Sequence, residues 1–247
     1  MISEFEGLER IDTGKDCPTC GRRLYKQKAF GGIIIPMMCE CEKERKQKED
    51  EERKARKLNT RIKENTLNSG FEKKQLNQTF DTFIERKGTE KALIAAKRFT
   101  EIFPNVNCGL IFIGPCGSGK THIASSIGNA ILKKGYSVKF ITGYELFEKV
   151  QDTYSGFEIS EKMVTGPLKN CKLLILDDVG VLTTKKCKAI LHSIIDSRMN
   201  KELPTIITTN LNMNELKEEL DSRTFDRFSE GFKIFLVNAD SYRQTAK

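Results

Sequence analysis

Residues 114–121 read GPCGSGKT. This fits the phosphate-binding pattern G-x-x-x-x-G-K-[ST], and it falls between an apolar run and a helical stretch. Gly114, Gly117 and Gly119 allow backbone conformations that a side chain would block. Pro115, Cys116 and Ser118 complete the loop. Its N–H groups then face a phosphate chain at a helix N-terminus, where the dipole favours anions. Lys120 brings a point positive charge to β- and γ-phosphates, and the Thr121 hydroxyl is placed to ligate Mg2+. His122 follows directly. It is counted with the cradle by position, and it also reads as an ordinary helix residue.

Two further segments supply groups for hydrolysis. LLILDDVG, residues 173–180, is an apolar strand ending in two carboxylates. Asp177 would hold the Mg2+ water shell, and Asp178 would polarise the attacking water as a general base. TTN, residues 208–210, ends the next strand. Ligands of α/β sheets sit outside the carboxyl ends of the strands, so Asn210 could orient the lytic water, or simply open a turn.

A separate chemistry is written near the N-terminus. Cys17 and Cys20 are spaced C-x-x-C with Gly21 after them, and Cys39 and Cys41 are spaced C-x-C. The first pair suits two thiolates on one tight turn, and four thiolates suit tetrahedral Zn2+. An iron–sulfur cluster, a redox pair and unliganded thiols remain as alternatives. A metal would matter, because so short a segment cannot build a stable core unaided. Cys108, Cys116, Cys171 and Cys187 are scattered and read as small buried apolar residues.

Arg223 and Arg227, in SRTFDRF, are four apart and share a helix face. Such a pair can reach phosphate oxygens, including those of a neighbouring subunit, or can form a solvated basic face. Arg243, in DSYR, allows the same two readings. Phe80 and Phe83, in NQTFDTF, could line an adenine pocket or serve as packing residues.

These groups require a scaffold, and the chain patterns one from about residue 78 onward. Apolar strands are expected at 109–114, 137–142, 172–179, 205–210 and 233–238. Helices are expected at 120–134, from 143, at about 185–199, at about 214–220 and near Arg223. Apolar runs between helices mean strands buried on both faces, hence a parallel sheet with crossover helices. Upstream, residues 42–64 carry ten Lys/Arg and seven Asp/Glu. That stretch cannot bury a face, and its mixed charges at helical spacing (Glu49 to Arg53, Glu52 to Arg56) favour an exposed helix or semi-rigid linker. Three zones follow: a four-cysteine module at 1–45, a charged helical linker at 46–77, and an ATPase domain at 78–247.

Composition narrows the classes. The chain has 247 residues, 31% of them charged, and a net charge of +8. That is globular rather than disordered, and it fits a polyanionic partner. The longest apolar run, Ile33 to Met38, is broken by Pro36, far short of the about 20 residues of a membrane span. MISEFEGLER has no apolar stretch of a secretory signal, so a cytoplasmic, thiol-reducing location is expected.

The order of these motifs resembles the DnaC/DnaI/IstB group of AAA+ ATPases: GLIFIGPCGSGKTHIA, LLILDDVG, IIDSRMNKELPTIITTN, SRTFDRF and DSYR. The likeness runs from about residue 78 to the end. The four-cysteine module with its charged linker also resembles helicase loaders of Gram-positive bacteria and their phages. The resemblance implies an α/β P-loop AAA+ core, with a parallel five-stranded sheet flanked by helices and no full lid domain, preceded by a small zinc-binding domain. It implies a Walker A loop at Gly114 to Thr121 and a Walker B pair at Asp177 and Asp178. Asn210 falls at the sensor 1 position. It makes Arg227 the finger acting on a neighbour's ATP, with Arg223 beside it, and Arg243 the sensor 2 arginine. The cofactors would be ATP, Mg2+ and Zn2+. The partners would be a hexameric replicative DNA helicase, single-stranded DNA and further copies of the chain through the ATP sites, with no membrane. Asp178 stands where many AAA+ ATPases use Glu, so slow, switch-like hydrolysis is expected. Two rival functions share these motifs: an IstB-like transposition helper, and a non-loading helicase-binding regulator.

Overall fold

The computed structural model describes residues 10–28, 30–153, 160–180, 184–219 and 222–242. The chain divides into two units, Met1–Asn59 and Thr60–Lys247.

The first unit holds a three-stranded antiparallel sheet in the order β1 (Arg10–Asp16), β2 (Arg23–Lys28), β3 (Ile34–Pro36). The sequence has no period-2 apolar pattern here, and the sheet has no core to match one. Among the described residues 10–41, Cys17 alone is buried. Helix α1 (Glu40–Leu67) follows and crosses the unit boundary. None of its residues is buried. Its charges pair along the surface, Arg45 with Glu49 at 3.7 Å and Arg56 with Glu52 at 3.6 Å. Arg53 turns to Asp50 at 2.9 Å rather than to Glu49. Each such exposed pair contributes only about 0.3–0.5 kcal/mol.

The second unit is a five-stranded sheet. After α2 (Lys73–Leu76) and α3 (Glu90–Ile102) come β4 (Gly109–Ile113), α4 (Lys120–Lys133), β5 (Val138–Thr142), α5 (Gly143–Asp152) and α6 (Glu161–Asn170). Then follow β6 (Leu173–Asp177), α7 (Lys185–Met199), β7 (Thr205–Thr209), α8 (Met213–Glu219), α9 (Ser222–Gly231) and β8 (Phe232–Leu236). The strand order is β5-β6-β7-β4-β8, with every pairing parallel. The expected fold class holds. The three central strands are buried at every position, because helices cover both faces. Alternation then splits their side chains. Ile111, Leu174, Leu176 and Ile207 join the core under α5 to α9, while Phe112, Leu173, Ile175 and Ile206 join that under α3 and α4. Fully burying each such side chain contributes about 1.5–3 kcal/mol. Among the described residues no helix is long and apolar enough to cross a membrane.

One buried cation ties the sheet to its helices. Arg198, on α7, is fully buried. It donates to the carbonyls of Leu168 (2.7 Å), Cys171 (2.9 Å) and Pro204 (2.7 Å), and to Thr205 Oγ1 at 2.8 Å. The end of α6 is thus fastened to the start of β7. Arg198→Ala removes four buried hydrogen bonds, a loss of about 3 kcal/mol. For a unit of this size the melting temperature should fall by about 6–12 °C, read by circular dichroism.

Candidate functional site

The site forms where β4, β6 and β7 end. β4 lies between β7 and β8, while the crossover through α4 leads to β5 at the far edge. This is the switch point at which α/β sheets open a crevice. The sequence folds sharply here because glycines permit it. Gly117 (φ 80°) and Gly119 (φ 106°) are left-handed, and Gly119 caps α4. Gly117 cannot be replaced cheaply, since its φ is left-handed and a Cβ there would lie 3.0 Å from Ser241 Cβ and 3.2 Å from Ser241 Cα.

A cavity of about 490 Å³ opens over this loop. Its lining includes Cys116, Gly117, Gly119, Lys120, Thr121, His122, Asp177, Asp178 and Asn210. Ser118 is fully buried behind it, and Pro115 is exposed. Lys120 is 6% exposed, and its Nζ donates to Gly114 O (2.7 Å), Pro115 O (2.9 Å) and Asn210 Oδ1 (2.7 Å). Burial lowers its pKa, opposed by Cys116, Asp178 and Asp177. Thr121 Oγ1 donates to Asp177 Oδ2 at 3.1 Å, so the hydroxyl and carboxylate expected at Mg2+ face each other. Burial raises the Asp177 pKa against hydrogen bonds from Thr208 and Thr121. Asp178 is exposed at φ 51°, a strained backbone for most side chains but tolerated by Asp. Asn210 Nδ2 donates to Asp178 Oδ1 at 2.6 Å. The predicted cation, carboxylates and amide therefore form one connected constellation.

Thr208 escaped the sequence reading. Its hydroxyl donates to Asp177 Oδ1 at 2.6 Å and accepts from Asp178 N at 2.9 Å, setting both acids at once. The TTN motif carried that signal, but only its Asn was singled out. The segment ahead of α3, where only Phe80 and Phe83 were expected to matter, makes further contacts with α4. Asn129 on α4 donates to the carbonyls of Gln75 (2.8 Å) and Gln78 (2.7 Å). His122 meets Thr79 O at 3.0 Å and packs edge-on to Phe83, with ring centroids 5.1 Å apart. Burial lowers the His122 pKa. Phe80 and Phe83 both pack on the core beneath α3 and α4, and Phe83 also lines the cavity.

The arginines divide. Arg227, on α9, is held within its own chain by Asp196 at 2.8 Å and Glu230 at 3.4 Å, and does not line the cavity. Arg223 falls on the backbone of α9, with its side chain outside the described residues, and Arg243 lies outside them altogether. Cys171 and Cys187 are buried as expected. Cys116 is not, because the phosphate loop exposes it, and Cys108 is only partly covered.

In the first unit the four cysteines of the spaced pairs converge. Their Sγ atoms all lie within 4.8 Å of one another. Three of the separations are 3.5, 3.3 and 3.0 Å. A tetrahedral Zn–S site with bonds of about 2.3 Å has sulfurs about 3.8 Å apart, so the donor set fits. The turn after Cys17 helps. Backbone N–H groups of Thr19 and Cys20 face its sulfur and lower its pKa to about 6, while hydrogen bonding with Cys39 and Cys17 pushes the Cys41 thiol up.

A glycine cradle at a helix N-terminus, its lysine and hydroxyl, and an Asp pair on the neighbouring strand define a P-loop ATPase with the AAA+ sheet order. The model of the family of IstB-like ATP binding proteins matches residues 44–247. The replicative helicase loader DnaC of Escherichia coli (strain K12) is 35% identical over 178 residues, 71% of this chain and 73% of that protein. A crystal structure of the DnaC helicase loader superposes with a TM-score of 0.60 at 26% identity, covering 67% of this chain and 99% of that one. DnaI superposes with a TM-score of 0.60 at 22% identity, over 69% of this chain and 93% of that one, a likeness of fold. The chain belongs to the IstB-like ATP-binding family and is a homologue of the DnaC helicase loaders.

Proposed function

We propose that this chain is an ATP-dependent loader that binds a hexameric replicative DNA helicase and delivers it onto single-stranded DNA. The 35% identity to DnaC across most of the ATPase unit carries the reading. The division of labour follows the sequence zones. Residues 1–45 form a zinc-bound module that docks on the helicase. Residues 46–77 are the charged linker, and 78–247 bind and hydrolyse ATP.

Within the ATP site, the loop Gly114 to Thr121, with His122 behind it, cradles the triphosphate. Thr121 and Asp177 hold Mg2+. Asp178 takes a proton from the attacking water while Asn210 orients it. Arg227 completes the site of the next copy, with Arg223 and Arg243 as further phosphate contacts, so ATP acts as an assembly signal. A side chain shorter than Glu suits slow hydrolysis and a switch. Asp178→Asn keeps the bond to Asn210 but removes the base. It should lower kcat by about 100-fold with ATP affinity nearly unchanged, read by phosphate release against nucleotide titration.

Pull-down of a replicative helicase tests the assignment, with and without ATP, using the full chain and a chain beginning at Thr60. Capture by the full chain alone supports docking through the N-terminal module. Capture by neither removes the loader reading. The matching family model also favours a second reading, an IstB-like transposition helper. ATP-dependent binding to duplex DNA without helicase capture would favour it.

A further inference from the structure

We infer that Arg86 is a positioning residue for the ATP site, holding the phosphate loop from the wall of the cavity that it also lines. The inference rests on the ATP site proposed above, and goes beyond it by assigning a residue outside every nucleotide-binding motif of the chain.

Arg86 sits in the irregular segment between α2 and α3. Its Nη2 donates to Ser118 O at 3.0 Å and to Gly117 O at 3.4 Å. Its Nη1 donates to Asp240 O, beyond β8. Tyr242 N donates to the same Gly117 carbonyl at 3.1 Å, and the guanidinium carbon stands 5.7 Å from the centre of the Tyr242 ring. One planar cation therefore joins three segments far apart in sequence.

The consequence follows from the peptide plane. A trans peptide points its C=O and N–H in opposite directions. The Ser118 carbonyl belongs to the peptide that carries the Gly119 N–H. A donor holding that carbonyl therefore fixes the direction of the Gly119 N–H, at the N-terminus of α4. Gly119 is a left-handed cap with no side-chain hydrogen bond of its own to fix the loop. A Cβ on Gly119 would meet Phe83 at 3.0 Å and Arg86 Nη2 at 3.4 Å, so the loop lies directly against this support. Arginine suits the task because its fork reaches diverging carbonyls at once, which a lysine ammonium does not.

The test is nucleotide binding by Arg86→Ala and Arg86→Lys in the full chain, with guanidinium added back. Arg86→Ala should weaken ATP and ADP together by about tenfold, since both carry the β-phosphate, while kcat at saturating ATP changes much less. Low-millimolar guanidinium should restore most of the lost affinity. Urea, which has the shape without the charge, should not. Arg86→Lys, which keeps the charge and the bulk, should fall between. Affinities within about twofold of the parent in both variants would overturn the inference, and so would a loss that guanidinium leaves unchanged. Failure of the parent chain itself to bind ATP would strike the ATP-site reading instead, and would be seen before any variant was compared.

Discussion

Lys120→Ala should reduce kcat/KM for ATP by about 10³-fold or more while the fold stands. The ammonium's position sets the size of the effect. It sits 2.7 Å from Gly114 O and from Asn210 Oδ1, at the mouth of the glycine cradle and beside both acids. Triphosphate entering the cradle meets one fixed positive charge there, in a site largely shielded from water, where a charge is worth far more than at the surface. Alanine removes that charge and leaves the backbone donors. Binding should weaken, and turnover should fall further, because charge accumulates on the β–γ bridge and leaving oxygens as the bond breaks. Stability should fall only modestly, because the three hydrogen bonds lost at Gly114 O, Pro115 O and Asn210 Oδ1 are partly offset by relief of a buried charge. Burial already depresses the Lys120 pKa, so the folded chain disfavours this charge and gains relief when it is gone. Phosphate release and a melting curve on the same sample check both halves.

Stripping the metal from the cysteine cluster should unfold the first unit and leave the second intact. The described residues 10–41 bury a single side chain, that of Cys17, so no apolar core holds the three strands. Structural zinc contributes on the order of 10 kcal/mol to such modules, comparable to the whole stability of a small domain. Cys17→Ser or Cys41→Ser should have the same effect as a strong chelator. The expected readout is one equivalent of zinc released per chain, loss of dispersed amide signals from the N-terminal residues, and unchanged ATP binding. A chain that keeps those signals after complete metal removal would show that the sheet stands without zinc.

The sheet and most of the ATP site were legible because both are local in sequence. Buried parallel strands write continuous apolar runs such as LIFI and LLIL, and a phosphate loop must be contiguous to bend around an anion. The Asp177–Asp178 pair and Asn210 were legible because strand ends in such sheets face the crevice. What stayed hidden was long-range. Arg86, Asn129 and Arg198 work by donating to carbonyls far along the chain, and a carbonyl leaves no mark on residue type. Helix α3 (Glu90–Ile102) has Ala92, Ala96 and Phe99 at helical spacing, but it precedes the first strand of the five-stranded sheet and carries no motif. The N-terminal sheet was hidden for a different reason. RIDTGKD and RLYKQK bury nothing, so no alternation was there to read, and the cysteines alone announced the module.

The central claim is that this chain delivers a helicase to DNA, and the amount of helicase on a closed circle of single-stranded DNA tests it most directly. A closed circle admits a ring only if the ring opens. The parent chain with ATP should raise the helicase recovered on the circle well above the level with helicase alone, and Lys120→Ala should not. Recovery unchanged or lowered by the parent chain, under conditions where it binds both helicase and ATP, would contradict loading and identify a regulator of the helicase instead.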